Sequence, residues 1–226
     1  MFVARPSREI NIGECKLNTE CYLCTAVGNT SEHVPSRAFF DATPANIITV
    51  PACSTCNGSF AKDEEYFRTV VVAQCYGTSA AARRVWSGPV IRSLWRRGFE
   101  GLRRRLVGHL ITIDVWDEHT AQLAKLPGVV VEGGRAARVV RKIVRGLYFA
   151  LRGEKLEDAD LIIFRDGDAR IDPITLTDGW TEVDMGEEFR FRSHFEDHGG
   201  AIWIEFYRTQ WWLALTGEAA RKYPRK

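Results

Sequence analysis

The sequence lacks any long apolar run. None approaches the roughly 18 consecutive apolar residues that a membrane-spanning helix needs. The first residues also lack the apolar core of a signal peptide. We therefore expect a cytoplasmic protein with no membrane partner, in which thiols stay reduced and closely spaced cysteines are metal ligands rather than disulfides.

The sequence also lacks a surplus of charge of either sign. Its 226 residues include 31 Lys and Arg against 29 Asp and Glu, which gives a net charge of +2. The total charge is therefore no signature of a nucleic-acid-binding protein. No internal repeat or low-complexity tract is present. An apolar content of 45% and a charged content of 27% are typical of a globular protein long enough to bury a real core.

What is present is a pair of Cys-x-x-Cys motifs, Cys21/Cys24 and Cys53/Cys56. Four thiolates at this spacing predict a closed tetrahedral Zn²⁺ site, in which each pair occupies a short turn. Such a site has no vacant position, so the zinc would hold the fold and do no chemistry. Two cysteines are left over: Cys75 is most simply a small buried hydrophobe, and Cys15 is close enough in sequence to replace one ligand.

Polar residues of a different kind lie between and just after the two pairs. Glu32 and His33 come first, and Asn46 precedes an apolar, β-branched run that leads into the second pair. Asn57 follows that second pair directly. Hydrolysis of a phosphodiester needs a base and a cation. A histidine that titrates near neutrality suits the first task, and carboxylate and amide oxygens are ligands for Mg²⁺ or Mn²⁺.

This order of residues resembles the HNH endonuclease family, the ββα-metal nucleases, in its zinc-stapled form. The resemblance covers about the first third of the chain. It implies that His33 is the general base and that Glu32 and Asn57 hold a catalytic Mg²⁺ or Mn²⁺. It further implies that Asn46 positions the loop, and Lys62 falls where family members often carry a lysine. Asn57 stands where many members have histidine, which affects the identity of the metal rather than the reaction.

The resemblance also implies partners. The expected substrate is DNA, and one HNH site cuts one strand, so double-strand cleavage would need a homodimer or two successive nicks. Bacterial proteins with this motif often serve restriction or antiphage defence with a partner ATPase or sensor protein. The alternative from the residues alone is a non-catalytic zinc module that binds nucleic acid or protein, with His33 an ordinary surface residue.

The expected fold class is α+β, with an HNH nuclease domain over residues 1–80 and a second α+β domain over residues 81–226. The second domain is expected to contain an antiparallel sheet and to bind substrate or a partner. Periodicity predicts helices over about 57–75, 90–106 and 136–151. Alternation predicts strands over 109–116 and 188–195, and a hairpin formed by 201–207 and 210–215.

Arginine is concentrated between residues 83 and 105, and a second basic cluster spans residues 135–145. On the predicted helix over 90–106, Arg92, Arg96 and Arg103 lie opposite an apolar stripe. With Arg37 and Lys62 they are the candidate contacts to a nucleic-acid backbone, because arginine pairs bidentately with phosphate. The alternative is a surface helix with a solvated basic face.

Overall fold

The computed structural model describes residues 18–108, 110–117, 121–165 and 179–222. Cys15 therefore lies outside the described residues. The strands are β1 (Thr19–Glu20), β2 (Val27–Gly28), β3 (Thr30–Val34), β4 (Ile48–Ala52), β5 (Leu110–Asp117), β6 (Gln122–Val129), β7 (Leu161–Arg165), β8 (Thr181–Asp184), β9 (Phe189–Glu196), β10 (Gly199–Phe206) and β11 (Gln210–Gly217). The helices are α1 (Ser54–Ser59), α2 (Ala61–Cys75), α3 (Ala80–Val85), α4 (Ile91–Leu94), α5 (Glu100–Gly108), α6 (Gly133–Arg152) and α7 (Glu218–Arg221). In the described ranges, no helix combines the length and the apolar character that crossing a membrane would require.

The N-terminal part runs strand, strand, helix, in the order that the sequence predicts. β3 and β4 form an antiparallel pair in which Glu32 lies opposite Val50 and His33 opposite Thr49. The β-branched residues of β4 suit an extended, half-buried strand. α1 begins directly after β4, where the Sγ of Cys53 accepts a hydrogen bond from the N–H of Cys56 and caps the helix.

The C-terminal part contains the predicted antiparallel sheet, with strand order β7-β11-β10-β9-β8. The predicted hairpin is confirmed as β10 and β11, joined through residues 207–209. Tyr207 and Arg208 have φ values of 54° and 58°, the left-handed conformation that tight hairpin loops use. The edge strand β8 was not predicted, since its four residues carry too short a pattern to recognise.

One buried core joins the two parts of the chain. Phe206 of the sheet lies 4.9 Å from Phe39 and 5.7 Å from Phe67, measured between ring centroids. The hydroxyl of Tyr207 donates to the carbonyl of Phe39 at 2.7 Å. Residues on both sides of position 80 therefore stabilise each other, and the predicted division of labour between 1–80 and 81–226 stays a prediction.

The single helix predicted over 90–106 is wrong. α4 ends at Leu94 and α5 begins at Glu100, with Gly98 between them at a φ of 90°. Only glycine adopts this conformation readily, and the carboxylate of Glu100 accepts the N–H of Gly98 at 2.9 Å. The break turns Trp95 out of the expected apolar stripe, so that it is 73% exposed. The sequence predicted one helix because α4 and α5 each show the helical period, and the period alone does not reveal the break between them.

Helix α6 lies directly on β3, and a glycine permits this approach. A Cβ atom at Gly146 would lie 2.7 Å from Cγ2 of Val34, which is closer than packed carbon atoms tolerate. It would also lie 3.5 Å from Cε2 of Tyr22, which is an ordinary contact distance. The helix backbone therefore rests on the strand that carries Glu32 and His33.

We predict that Gly146→Ala lowers the free energy of unfolding by about 1–3 kcal/mol, the usual cost of an overpacked core. Alanine is the better helix former, so the loss would arise from packing alone. Gly134→Ala is the matched control, since a Cβ there meets no atom within 4 Å. Urea denaturation of both variants checks the prediction, and equal stability of the two would contradict it.

Candidate functional site

The cysteine pairs converge as the sequence predicts. The Sγ atoms of Cys21, Cys24, Cys53 and Cys56 all lie within 4.8 Å of one another. Cys24 Sγ is 3.8 Å from Cys53 Sγ and 3.6 Å from Cys56 Sγ. A disulfide would need about 2.05 Å, whereas sulfurs around a tetrahedral Zn²⁺ are roughly 3.8 Å apart. The cluster could therefore hold a metal ion.

The turns around the cluster bring hydrogen-bond donors and positively charged side chains close to the sulfurs. The backbone N–H of Cys56 donates to Cys53 Sγ at 3.4 Å, and this hydrogen bond, together with those of the neighbouring thiols, lowers the pKa of the Cys53 thiol to about 7. Burial and the same neighbouring thiols raise the pKa of Cys56. Arg145 donates to the carbonyl of Leu23 at 3.3 Å, and Lys155 donates to the carbonyl of Cys24 at 2.7 Å. The C-terminal part of the chain thus holds the first cysteine turn in place and brings positive charge close to the thiolates.

A cleft of about 620 Å³ lies beside this cluster, enclosed by β3, α1, the start of α2 and the turn over residues 36–38. Three of the predicted site residues, Glu32, His33 and Asn57, line it together. Arg37, a predicted phosphate contact, and Glu64, which was not predicted, also line it. The strand pair and the following helix therefore gather these side chains at one place.

Two of the non-cysteine site residues predicted between positions 21 and 62 do not line the cleft. Asn46 donates through Nδ2 to the backbone carbonyl of Asp184 at 2.8 Å, so it anchors the β3–β4 loop to the C-terminal sheet. Lys62 is exposed at the start of α2, where its carbonyl accepts a hydrogen bond from Arg135. Their roles in catalysis and in nucleic-acid binding stay predictions.

Two carboxylates that line the cleft, Glu32 and Glu64, pair with one buried lysine that does not itself line it. Nζ of Lys142, on α6, lies 3.0 Å from Oε1 of Glu32 and 2.7 Å from Oε1 of Glu64. The side chain of Lys142 is 3% exposed and that of Glu32 is 6% exposed. Charges buried to this extent need their partners, because the interior solvates neither ion. The ion pairs therefore hold α6 to β3 and α2.

The second carboxylate oxygen of Glu32, Oε2, takes no part in the ion pair with Lys142. Oε2 is buried and has no hydrogen-bond partner among the described residues, although Oε1 is paired. Burial raises the pKa of Glu32, while the neighbouring Lys142 opposes that rise. An unpaired carboxylate oxygen in such a place is costly unless it meets a donor or a cation.

His33 and Asn57 present acceptors to the same cleft. Burial, together with the nearby Arg37, lowers the pKa of His33, so its imidazole is neutral at pH 7 and can accept a proton. Asn57 donates through Nδ2 to the hydroxyl of Thr30 at 3.1 Å, and that hydroxyl donates to the carbonyl of Ala52. This chain of hydrogen bonds leaves Oδ1 of Asn57 available to bind a ligand.

Glu64 and Lys142 are the site residues that the sequence did not assign. Glu64 follows Asn57 by seven residues, so a continuous helix would have placed both on one face. Lys142 lies in the second basic cluster, where its apolar neighbours Val139 and Ile143 indicated a buried helix face. Nothing in the sequence pairs it with acids that precede it by 78 and more residues.

Most arginines of the two basic clusters have partners within the chain. Arg103 donates to the carbonyl of Leu94 at 2.8 Å and stacks on Trp95 at 5.1 Å from the ring centroid. The second cluster forms hydrogen bonds or ion pairs with Asp63, Asp158, Leu156 and the two glutamates of the cleft. Arg92 and Arg96 are exposed and have no ion-pair partner among the described residues. Backbone binding by Arg92, Arg96 and Arg103 stays a prediction.

We predict that the purified protein contains about one Zn²⁺ per chain, and that Cys53→Ser removes it together with the stability of the N-terminal unit. Elemental analysis and thermal unfolding measure both. Cys75→Ser is the control, because Cys75 is also buried but lies outside the cluster. Full metal content in the Cys53→Ser protein would contradict the prediction.

We predict that Lys142→Met lowers the free energy of unfolding by about 3–5 kcal/mol, since it leaves Glu32 and Glu64 without their cation. Arg138→Met, on the same helix, removes the ion pair of an arginine side chain that is 58% exposed and should cost at most about 1 kcal/mol. Denaturant unfolding of the two variants at pH 7 provides the comparison. A smaller loss for Lys142→Met than for Arg138→Met would show that the buried ion pairs do not hold the fold.

The comparisons with known proteins identified no relative of this chain. A scan against models of protein families found no match, and searches of the curated proteins and of the solved structures found none either.

Proposed function

We propose that this protein is a metal-dependent nuclease that hydrolyses DNA phosphodiester bonds at the cleft beside the cysteine cluster, in the manner of HNH endonucleases. One observation carries the proposal: Glu32, whose buried Oε2 has no partner among the described residues, lines the same cleft as His33 and Asn57. A binding module has no need to bury an unsatisfied carboxylate beside a neutral imidazole.

The residues present fit a hard divalent cation. Oε2 of Glu32 and Oδ1 of Asn57 are the oxygens that would hold Mg²⁺ or Mn²⁺, and waters and a substrate phosphate suit the remaining positions. When bound, the ion would supply the positive charge that stabilises the leaving group in phosphodiester hydrolysis. Lys142 pairs with Oε1 of Glu32, which opposes the rise in pKa that burial causes and leaves Oε2 outside the ion pair.

The chain's own groups account for the other requirements of the reaction. His33, neutral at pH 7, takes the proton of the attacking water. Arg37 is exposed at the cleft, where its guanidinium can contact a phosphate oxygen. Arg92 and Arg96 offer further exposed charge for the DNA backbone.

We assign the cysteine cluster a structural Zn²⁺. Cys53 and Cys56 begin the helix that carries Asn57, and Cys21 precedes the strand that carries Glu32 and His33. Four sulfurs leave the ion no open position, so the zinc ties strand and helix together without taking part in hydrolysis.

A second candidate function, a non-catalytic zinc module that binds nucleic acid, is favoured by one observation. Lys142 already places a positive charge between Glu32 and Glu64, so part of the negative charge of the cleft is balanced without a divalent ion. In that function the cleft would be a structural ion-pair site, and His33 would be replaceable.

A nicking assay on supercoiled plasmid separates the two functions. We expect cleavage with Mg²⁺ or Mn²⁺ and none when divalent ions are omitted, with elemental analysis confirming that the zinc is retained. His33→Ala should lower the rate by roughly 10² to 10⁴-fold, the usual share of a general base, without a change in stability. His194→Ala is the control, because His194 does not line the cleft. A fully active His33→Ala protein would leave the zinc module as the function.

The pH dependence follows from the pKa of His33. Because burial and Arg37 lower that pKa, the base form should persist below the ordinary histidine value of about 6.5, and the rate should fall only at lower pH. Arg37→Ala removes one of the two causes and should move the acid limb of the rate profile upward. An acid limb that stays in place would assign it to a different group.

A further inference from the structure

A second cavity, of about 400 Å³, shares no lining residue with the cleft described above. It lies between α2, α6 and the edge of the sheet formed by β7 and β11. Its floor is apolar and aromatic, and consists of the fully buried side chains Tyr66, Phe67, Val70 and Val71 of α2. Its rim is open, since Gln74, Ala137 and Arg165 are exposed. This is the general shape of a small-molecule site, an apolar pocket with a few polar groups.

The polar groups of this cavity are available to a ligand. Arg165 and Trp212 are direct neighbours across the β7–β11 ladder, so guanidinium and indole stand side by side on one face of the sheet. The side chains of Gln74, Gln210 and Arg165 have no hydrogen-bond or ion-pair partner in the part of the chain that the structure describes. Arg141, at the same cavity, adds positive charge, although it is already bonded to Asp158.

The charged side chains that line the cavity in the described ranges are all positive. No carboxylate is among its lining residues in the described ranges, whereas two arginines are. A ligand should therefore carry negative charge that complements the two guanidinium groups. An apolar chain with an acidic head would leave the two glutamine amides without partners. A planar heterocycle with hydrogen-bonding edges would satisfy them and could stack on the indole.

We propose that this cavity binds a nucleotide, with the base against Trp212, the base edge on Gln74 and Gln210, and the phosphate on Arg165. A cavity of 400 Å³ is within the usual range for small-molecule sites. The same chemistry is offered by a free nucleotide and by a nucleotide unit of an oligonucleotide that enters the cavity. The proposal is independent of the nuclease function, because the two cavities have different walls.

Isothermal titration of the full-length protein, without added divalent ions, tests the proposal. The probes are the four nucleoside 5′-monophosphates and a short single-stranded oligonucleotide. We expect saturable binding of at least one probe, and Arg165→Ala should weaken it by about tenfold or more, as loss of a charge-assisted hydrogen bond does. Trp212→Phe should weaken it less, because a smaller ring still stacks.

Matched variants separate this site from other basic surfaces. Arg97→Ala removes an equally exposed arginine outside the cavity and should leave binding unchanged. His33→Ala should also leave it unchanged, so failure of this proposal is distinguishable from failure of the nuclease function. Binding of monophosphates would identify a free nucleotide as the ligand, and binding of the oligonucleotide alone would identify a unit of a nucleic-acid chain. Absence of binding by every probe at about 1 mM, or equal loss in Arg97→Ala and Arg165→Ala, would overturn the proposal.

Discussion

The architecture depends on the ion pairs that Lys142 makes with Glu32 and Glu64. The lysine belongs to α6, and the two acids belong to β3 and α2, so three elements that are distant in sequence meet at one buried charge. The approach that permits this contact is set by Gly146, one turn further along the same face of α6. Because a buried charge that loses its partner costs several kcal/mol, these elements are coupled energetically.

The cysteine cluster applies a second constraint on the N-terminal unit. Its sulfurs hold the turn before β3 to the beginning of α1, and Arg145 and Lys155 attach that turn to the C-terminal part. The cleft with Glu32, His33 and Asn57 lies between these two constraints, on short elements that would be unstable by themselves. The N-terminal unit is therefore supported by the rest of the chain, and a fragment that ends near residue 80 would lose Lys142 and Arg145 together.

The arginines illustrate how tertiary contacts redistribute charge. In sequence, residues 135–145 form a basic cluster without an acid, which indicated a surface facing phosphate. In the fold, acids that precede or follow the cluster reach it, and Asp63 alone pairs with both Arg135 and Arg138. Much of the arginine therefore stabilises the fold, and exposed charge remains at Arg37, Arg92, Arg96 and Arg165.

The sequence by itself determined the cysteine cluster, the strand–strand–helix order around it, and the antiparallel hairpin predicted over 201–207 and 210–215, because each of these follows from local spacing or from period-two alternation. Glu32, His33 and Asn57 line one cleft in the fold, but local spacing alone left open whether they would converge. Only the tertiary structure decided that the helix over 90–106 is broken, that Asn46 bonds to the C-terminal sheet, and that Lys142 pairs with both Glu32 and Glu64. These features depend on contacts between residues far apart in the chain, or on one glycine's backbone conformation, and neither leaves a periodic pattern in the sequence.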